Sequence, residues 1–257
     1  MRIYVAVQCG VGKEQCEDAV IVGSTIICDG TAELTLLTNG TICVADGVGG
    51  HAGGDIASAY VTEQLKLFTV HSSDTNENTI YERLTEINNN LLQKGREIGF
   101  PDMATTLTGL VCTENQKYIV HVGNTRLYVL QGQYLKQLTT DHTVYNWLLA
   151  MGRVDEAAQC RRNEITNCLG GANSKLAARL SVTPFQDFSV MLLTSDGIHD
   201  HVSLDELERL LTSDATELEK CSNMVDAAKN VGSTDDLSAV IIINREEVDA
   251  ELSVNLG

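Results

Sequence analysis

Four short acidic clusters in this sequence stand at the edges of apolar runs rather than on polar helical faces. Glu17-Asp18 precedes Ala19-Val20-Ile21-Val22, and Asp46-Gly47 follows Thr41-Ile42-Cys43-Val44-Ala45. Asp196-Gly197 follows Val190-Met191-Leu192-Leu193-Thr194-Ser195, and Asp235-Asp236 precedes Leu237-Ser238-Ala239-Val240-Ile241. If those edges converge, several like charges crowd together, which is unfavourable unless cations neutralise them. Oxygen donors without a His/Cys cluster point to Mg²⁺ or Mn²⁺ rather than zinc. Taken singly, each Asp also reads as an ordinary turn or helix-cap residue. Spacing alone does not decide between the two readings.

The segment Asp46 to Asp55 adds weight to the first. It carries Gly47, Gly49, Gly50, Gly53 and Gly54 directly before a helical pattern. Glycines there let the backbone approach an ion or a phosphate and leave carbonyl and N–H groups available. It is not a P-loop, because no Gly-Lys-Ser/Thr follows. A flexible strand-to-helix connection is the alternative.

The elements that must position these groups are mostly strands. Runs rich in Val, Ile, Leu and Thr predict strands at 2–9, 18–22, 33–38, 41–46, 105–113, 117–123, 125–131, 177–183, 188–195 and 237–243. The pairs 33–38/41–46 and 105–113/117–123 have hairpin spacing. Apolar stripes predict helices at 54–69 and 77–98, and a second pair at 203–212 and 215–230. Ser203 followed by Glu206 is a capping-box signature. Two helices between early and middle strands, and two more before the last strand, suit an α+β fold: a two-sheet antiparallel β-sandwich flanked by helix pairs. Residues 143–175, with helical pieces at 143–151 and 154–160, read as an insertion over one end. Residues 245–257 read as a peripheral tail, and the whole of 1–257 as a single domain.

Composition narrows the function. Lys and Arg number 18 against 35 Asp and Glu, a formal charge of −17. That excludes a nucleic-acid binder, which needs a basic face, and disfavours an anionic membrane surface. No run approaches the roughly 18 apolar residues of a membrane span, and the N-terminus has no signal-peptide pattern. The eight cysteines are scattered without a Cys-x-x-Cys pair, which predicts reduced, mostly buried thiols in a cytoplasmic protein.

Segments in order along the chain resemble the metal-dependent protein phosphatase family, the type 2C serine/threonine phosphatases, in their bacterial form. Lys13-Glu14-Gln15-Cys16-Glu17-Asp18-Ala19 resembles the family's Arg-x-x-x-Glu-Asp-Ala/Ser. Asp46-Gly47-Val48-Gly49-Gly50-His51 and Gly54-Asp55-Ile56-Ala57-Ser58 resemble Asp-Gly-Met-Gly-Gly-His and Gly-Glu-x-Ala-Ser. Ala104-Thr105-Thr106-Leu107, His121-Val122-Gly123-Asn124-Thr125-Arg126 and Leu138-Thr139-Thr140-Asp141-His142-Thr143 resemble Gly-Thr-Thr-Leu, His-Val-Gly-Asp-Ser-Arg and Leu-Thr-x-Asp-His-Ser. Ser195-Asp196-Gly197-Ile198 and Gly232-Ser233-Thr234-Asp235-Asp236-Leu237 resemble Ser-Asp-Gly-Leu and Gly-x-x-Asp-Asn-Ile.

The resemblance implies hydrolysis of phosphoserine and phosphothreonine in proteins by a metal-bridged hydroxide, with two Mn²⁺ or Mg²⁺ ions per chain. It implies metal ligands at Glu17, Asp18, Asp46, Gly47, Asp196 and Asp235, with Asp46 bridging, and a phosphate grip at Lys13. The implied partner is a phosphorylated protein, opposing a serine/threonine kinase, and the chain is expected to act as a monomer. Residues 143–175 correspond to the family's flap. The alternative is a catalytically weak phosphatase-like binding or regulatory module. Lys13 replaces the family's Arg and lacks its planar fork. Asn124 replaces an Asp that helps hold a third metal, so that third site is expected to be weak. Asp236 replaces Asn and is expected to add charge near the metals. His51 is expected to be structural, His142 to fix the loop before the flap, and Trp147 to pack.

Overall fold

The computed structural model describes residues 1–37, 39–48, 53–71, 74–171, 179–185 and 188–244. The chain begins with β1 (Arg2–Gln8), β2 (Asp18–Val22), β3 (Thr25–Ile27), β4 (Gly30–Thr35) and β5 (Gly40–Asp46), followed by α1 (Gly54–Lys66) and α2 (Glu77–Ile98). The middle holds β6 (Ala104–Thr105), β7 (Leu107–Cys112), β8 (Lys117–Val122), β9 (Arg126–Gln131) and β10 (Tyr134–Gln137). Next come the short helices α3 (Val144–Ala150) and α4 (Val154–Ala157), then β11 (Leu169–Gly170), β12 (Ser181–Phe185) and β13 (Val190–Thr194). Helices α5 (Asp196–His199), α6 (Leu204–Leu211) and α7 (Glu217–Asn230) lead into β14 (Leu237–Ile243).

Two antiparallel six-stranded sheets form, ordered β10-β9-β13-β14-β1-β4 and β12-β8-β7-β5-β2-β3. Between them pack Ile3, Val5 and Val7 with Val20, Ile42, Val44, Val240 and Ile242. The alternate residues face outward onto helices. Tyr4, Ala6, Ala239 and Ile241 cluster with residues of α6 and α7, and Cys43, Ala45, Val111 and Val120 with residues of α1 and α2. The central strands are therefore covered on both faces, which is why they read as continuous apolar runs and not as alternations. The expected layering, helices outside two sheets, is the one that forms.

Some local expectations change. The pair 33–38/41–46 is not a hairpin: β4 pairs with β1 in one sheet and β5 with β2 and β7 in the other. The Asn39-Gly40 signal marks a crossing between sheets: β5 pairs in the second sheet, and its Ile42 and Val44 bury in the core that the two sheets share. The 105–113/117–123 hairpin does form, as β7 and β8. Ser203 caps α6 by accepting from the Glu206 N–H, but the Glu206 carboxylate turns to Arg209, so only half the box is made. The complete box lies at Thr216 and Glu219, ahead of α7. Trp147 is 46% exposed, with the Arg153 guanidinium 5.7 Å from its ring centre, so it is not a core residue; Leu148 is the buried residue of α3. The 177–183 run is described only from 179 and forms β12 two residues further on. His51, Gly49 and Gly50 lie outside the described residues, as do the end of the 143–175 insertion and the 245–257 tail.

Candidate active site

Register brings the first two clusters together. In the antiparallel pairing of β2 with β5, Asp18 stands directly opposite Asp46. In the other sheet, β13 and β14 pair with Thr194 opposite Ala239, so Asp196 and Asp235 emerge at a common end. A hydrogen bond between strands of the two sheets lies there: Ser238 Oγ of β14 donates to Asp18 Oδ2 of β2 at 2.7 Å. The second Asp18 oxygen, Oδ1, is buried with no hydrogen-bond partner.

The electrostatics follow from this crowding. Burial pushes the Asp46 carboxyl well above the usual carboxylate range, and Asp196, Asp18 and Asp235 push it further. Asp18 is pushed up to about 7, by burial first, although hydrogen bonds from Ser238 and Ser195 work the other way. Asp196 is pushed up to about 6 by burial and by Asp235, against a hydrogen bond from Asn124 Nδ2 at 2.8 Å. The Asn124 Oδ1 atom is buried and unpartnered.

Backbone packs closely around the same point. The Gly47 N–H donates to the Glu17 carbonyl at 3.0 Å. A Cβ on Gly47 would lie 2.5 Å from the Gly54 carbonyl, and one on Gly54 would lie 2.5 Å from Glu17 Oε1. Side chains at either position would drive Glu17 and the start of α1 apart, so the glycines are there for close approach.

Lys13 enters from the loop between β1 and β2. Its Nζ lies 2.8 Å from Asp235 Oδ1, 2.9 Å from Asp236 Oδ2 and 3.1 Å from Glu17 Oε2. An ammonium has three N–H groups, so all three are engaged by carboxylates. Burial opposes its charge, but these contacts outweigh it and raise the Lys13 pKa. Asp236, 3% exposed, also accepts from the backbone N–H groups of Gly10 at 2.7 Å and Glu17 at 2.8 Å. Its carboxylate thus anchors the 10–17 loop, a role that the expectation of added charge near a metal missed.

All the donors brought together are oxygens, and their mutual repulsion is what a hard divalent cation relieves. Among the described residues no three His, Cys, Asp or Glu side chains are placed to hold an ion by themselves. The arrangement instead suits ions that keep several waters, as Mg²⁺ does. The unpartnered, buried Asp18 Oδ1 and the crowded Asp46 fit such ions.

A cleft of about 740 Å³ runs from Asn124 to the flap and is lined also by Arg126, Asp141, Tyr145, Arg162 and Asp200. Arg126 grips Asp141 through Nε and Nη2, with contacts of 2.9 and 2.7 Å to Oδ2. The flap leaves the body through a two-stranded neck. There the Val144 N–H donates to the Glu164 carbonyl at 2.9 Å and the Thr166 N–H to the His142 carbonyl at 2.8 Å. Arg126, Asp141 and Asn167 carried no chemical role in the sequence reading. The Arg-to-Asp pairing has no spacing signal, because it joins β9 to a loop beyond β10.

Residues 24–238 match the family model described as Protein phosphatase 2C. The chain is 31% identical over 217 residues to protein phosphatase PhpP of Streptococcus pneumoniae, covering 82% of this chain and 87% of that one. It is 30% identical over 210 residues to serine/threonine phosphatase stp of Listeria monocytogenes, covering 78% and 83%. Among solved structures it superposes on serine/threonine phosphatase Stp1 from Staphylococcus aureus with a TM-score of 0.77 at 24% identity, covering 94% of both chains. It superposes equally on the Mycobacterium tuberculosis serine/threonine phosphatase PstP/Ppp, TM-score 0.77 and 24% identity, over 94% of this chain and 98% of that one.

Proposed function

The chain belongs to the protein phosphatase 2C family, and from that premise we propose that it hydrolyses phosphoserine and phosphothreonine in proteins with the help of Mg²⁺ or Mn²⁺. The observation that carries this reading is the convergence of Asp18, Asp46, Asp196 and Asp235, with Asp46 driven far from its ordinary pKa by burial and the other three.

Asp46, Asp196 and Asp235 would hold the cations, with the Gly47 carbonyl beside them and Glu17 and Asp18 holding their waters. When bound, such ions neutralise a dianionic phosphate and acidify water near neutral pH. The chain's own groups prepare that environment. Ser238 orients Asp18 through its 2.7 Å hydrogen bond. Asn124 donates to Asp196, which favours its ionised form and fixes its orientation. Lys13 supplies positive charge to Glu17, Asp235 and Asp236; to grip a phosphate it would have to release at least one of them, since its three N–H groups are engaged. Thiol chemistry is disfavoured: burial and the carboxylates of Asp236 and Asp18 raise the pKa values of Cys9 and Cys16 and keep them protonated, hence poor nucleophiles. The phosphoprotein chain would lie in the cleft between Asn124 and the flap.

The test is turnover of p-nitrophenyl phosphate and of phosphoserine and phosphothreonine peptides during a Mn²⁺ titration. We expect activity that rises with the metal and disappears in excess EDTA; full activity in EDTA would sink the reading.

A further inference from the structure

His142 stands where three segments meet, and its contacts are more specific than fixing a loop requires. Its backbone N–H donates to the Gly123 carbonyl at 2.8 Å, and its ring Nδ1 accepts from the Gly123 N–H at 3.1 Å. Both polar groups of the Gly123 backbone therefore end on one residue. Because a backbone N–H can only donate, Nδ1 is unprotonated, and the neutral ring carries its proton on Nε2. Asn167 Nδ2 approaches the same Nδ1 at 3.3 Å.

Each partner leads somewhere. Gly123 sits at φ 110, where a side chain would strain the backbone and its Cβ would lie 2.5 Å from Thr106 Cγ2. The next residue is Asn124, whose amide holds Asp196 Oδ2. Asn167 lies on the returning strand of the flap neck, and its amide exchanges two hydrogen bonds of 3.1 Å with the Arg179 backbone. The His142 carbonyl accepts from Thr166 on that same strand.

We propose that His142 is a positioning residue: Nδ1 fixes the Gly123 peptide that aims Asn124 at Asp196, and ties that turn to the flap neck through Asn167. This rests on the reading of Asp196 as part of the catalytic centre. The physical demand is for one acceptor at the Nδ1 position, not for an imidazole. Asn places its Oδ1 on Cγ where His has Nδ1, whereas Gln places its amide near Nε2. His142→Asn therefore keeps the acceptor and His142→Gln loses it, at similar polarity.

The experiment compares the two variants by hydrogen exchange at the Gly123 amide and by steady-state turnover of p-nitrophenyl phosphate, a substrate with no peptide chain. We expect His142→Gln to expose the Gly123 amide and to lower kcat by about 100-fold with KM little changed, because misplacement near the reacting atoms acts on turnover. His142→Asn should keep the amide protected and kcat within about threefold of the parent. Equal kcat in both variants, or equal protection of the amide, would overturn the proposal. Should His142→Gln unfold, the comparison moves to His142→Asn alone, and an unprotected Gly123 amide there would be just as decisive against it. A parent protein with no turnover in Mn²⁺ but the expected amide pattern would refute the catalytic reading of Asp196 and leave the His142 link standing.

Discussion

Asp141, which lines the cleft with Asn124, and Asp196, which Asn124 holds, belong to two acidic neighbourhoods built in opposite ways. Asp141 is answered: Arg126 meets it with a planar two-point grip, and Gln137 Nε2 adds a third donor at 3.0 Å. Asp18, Asp46 and Asp196 are crowded instead, and among the described residues the ion pairs at that end go to Glu17, Asp235 and Asp236 through Lys13. The fold pairs one buried carboxylate fully, yet leaves three others raised by burial and by neighbouring carboxylates, the arrangement that the proposed metal site would use. The difference separates a carboxylate held by a cation within the fold from carboxylates that the proposed function assigns to the metal site.

Breaking the crowded side should have the largest effect, a loss of function without a loss of stability. Asp46→Asn is expected to lower turnover by several orders of magnitude while the fold survives. In EDTA the same variant should melt higher than the parent, because it removes repulsion from a buried cluster. The sign of the pH dependence follows. A carboxyl whose folded pKa lies above its unfolded value binds protons more tightly when folded, so its contribution is present at low pH and lost as pH rises. With Asp196 at about 6 and Asp18 at about 7, the metal-free protein should lose stability between about pH 4 and pH 7. Thermal melts in EDTA across that range check both points. A parent protein that grows more stable towards pH 7 would remove the argument from crowding.

Breaking the answered side should do the reverse. Arg126→Ala leaves Asp141 buried without its cation and is expected to cost about 3 kcal/mol of stability, read by urea denaturation. Lys cannot restore the two-point geometry, so Arg126→Lys should recover less than half. An unchanged midpoint in Arg126→Ala would show that the pair is ornamental.

Lys13 tests the border between the two. Removing its ammonium in Lys13→Gln leaves Glu17, Asp235 and Asp236 without their cation, so Mn²⁺ should bind more tightly, by about tenfold, or roughly 1.4 kcal/mol, measured by calorimetry. Weaker Mn²⁺ binding in that variant would assign Lys13 to the metal-loaded site rather than against it. The smallest effect belongs to Ser238→Ala, which removes the 2.7 Å donor to Asp18 Oδ2 and is expected to change stability by about 1 kcal/mol. The direction distinguishes states: the loss should be larger at pH 8, where Asp18 is ionised, than at pH 5.

Much of this contrast was legible in the residue order. Asp46, Asp196 and Asp235 announce themselves by sitting at the ends of apolar runs, and Gly47 and Gly54 by being the residues that close approach requires. The sandwich was legible because β1, β5 and β14 carry consecutive apolar residues, at 3–7, 42–45 and 239–243, as strands covered on both faces do. The short β3 and β10 and the one-turn α5 were not, since three or four residues carry no period. The crossing at residues 39–40 has the sequence of a hairpin because a turn signal reports that the chain reverses and not which sheet receives it.

What the sequence by itself determined, then, is the set of groups available for chemistry and the elements that carry them: oxygen donors at strand ends, two helix pairs and an insertion near the site. Those properties are local, decided by residue type and by periods of two and 3.6. The tertiary structure alone decided which groups meet. Asp18 faces Asp46 because of strand register, Ser238 reaches Asp18 because the two sheets stack, and Asp236 turns to the loop that Gly10 and Glu17 occupy. Lys13 and Asp236 are 223 residues apart, and His142 and Asn167 belong to opposite strands of a neck. Contacts across such separations follow from packing and charge summed over the whole chain, and no local pattern encodes them.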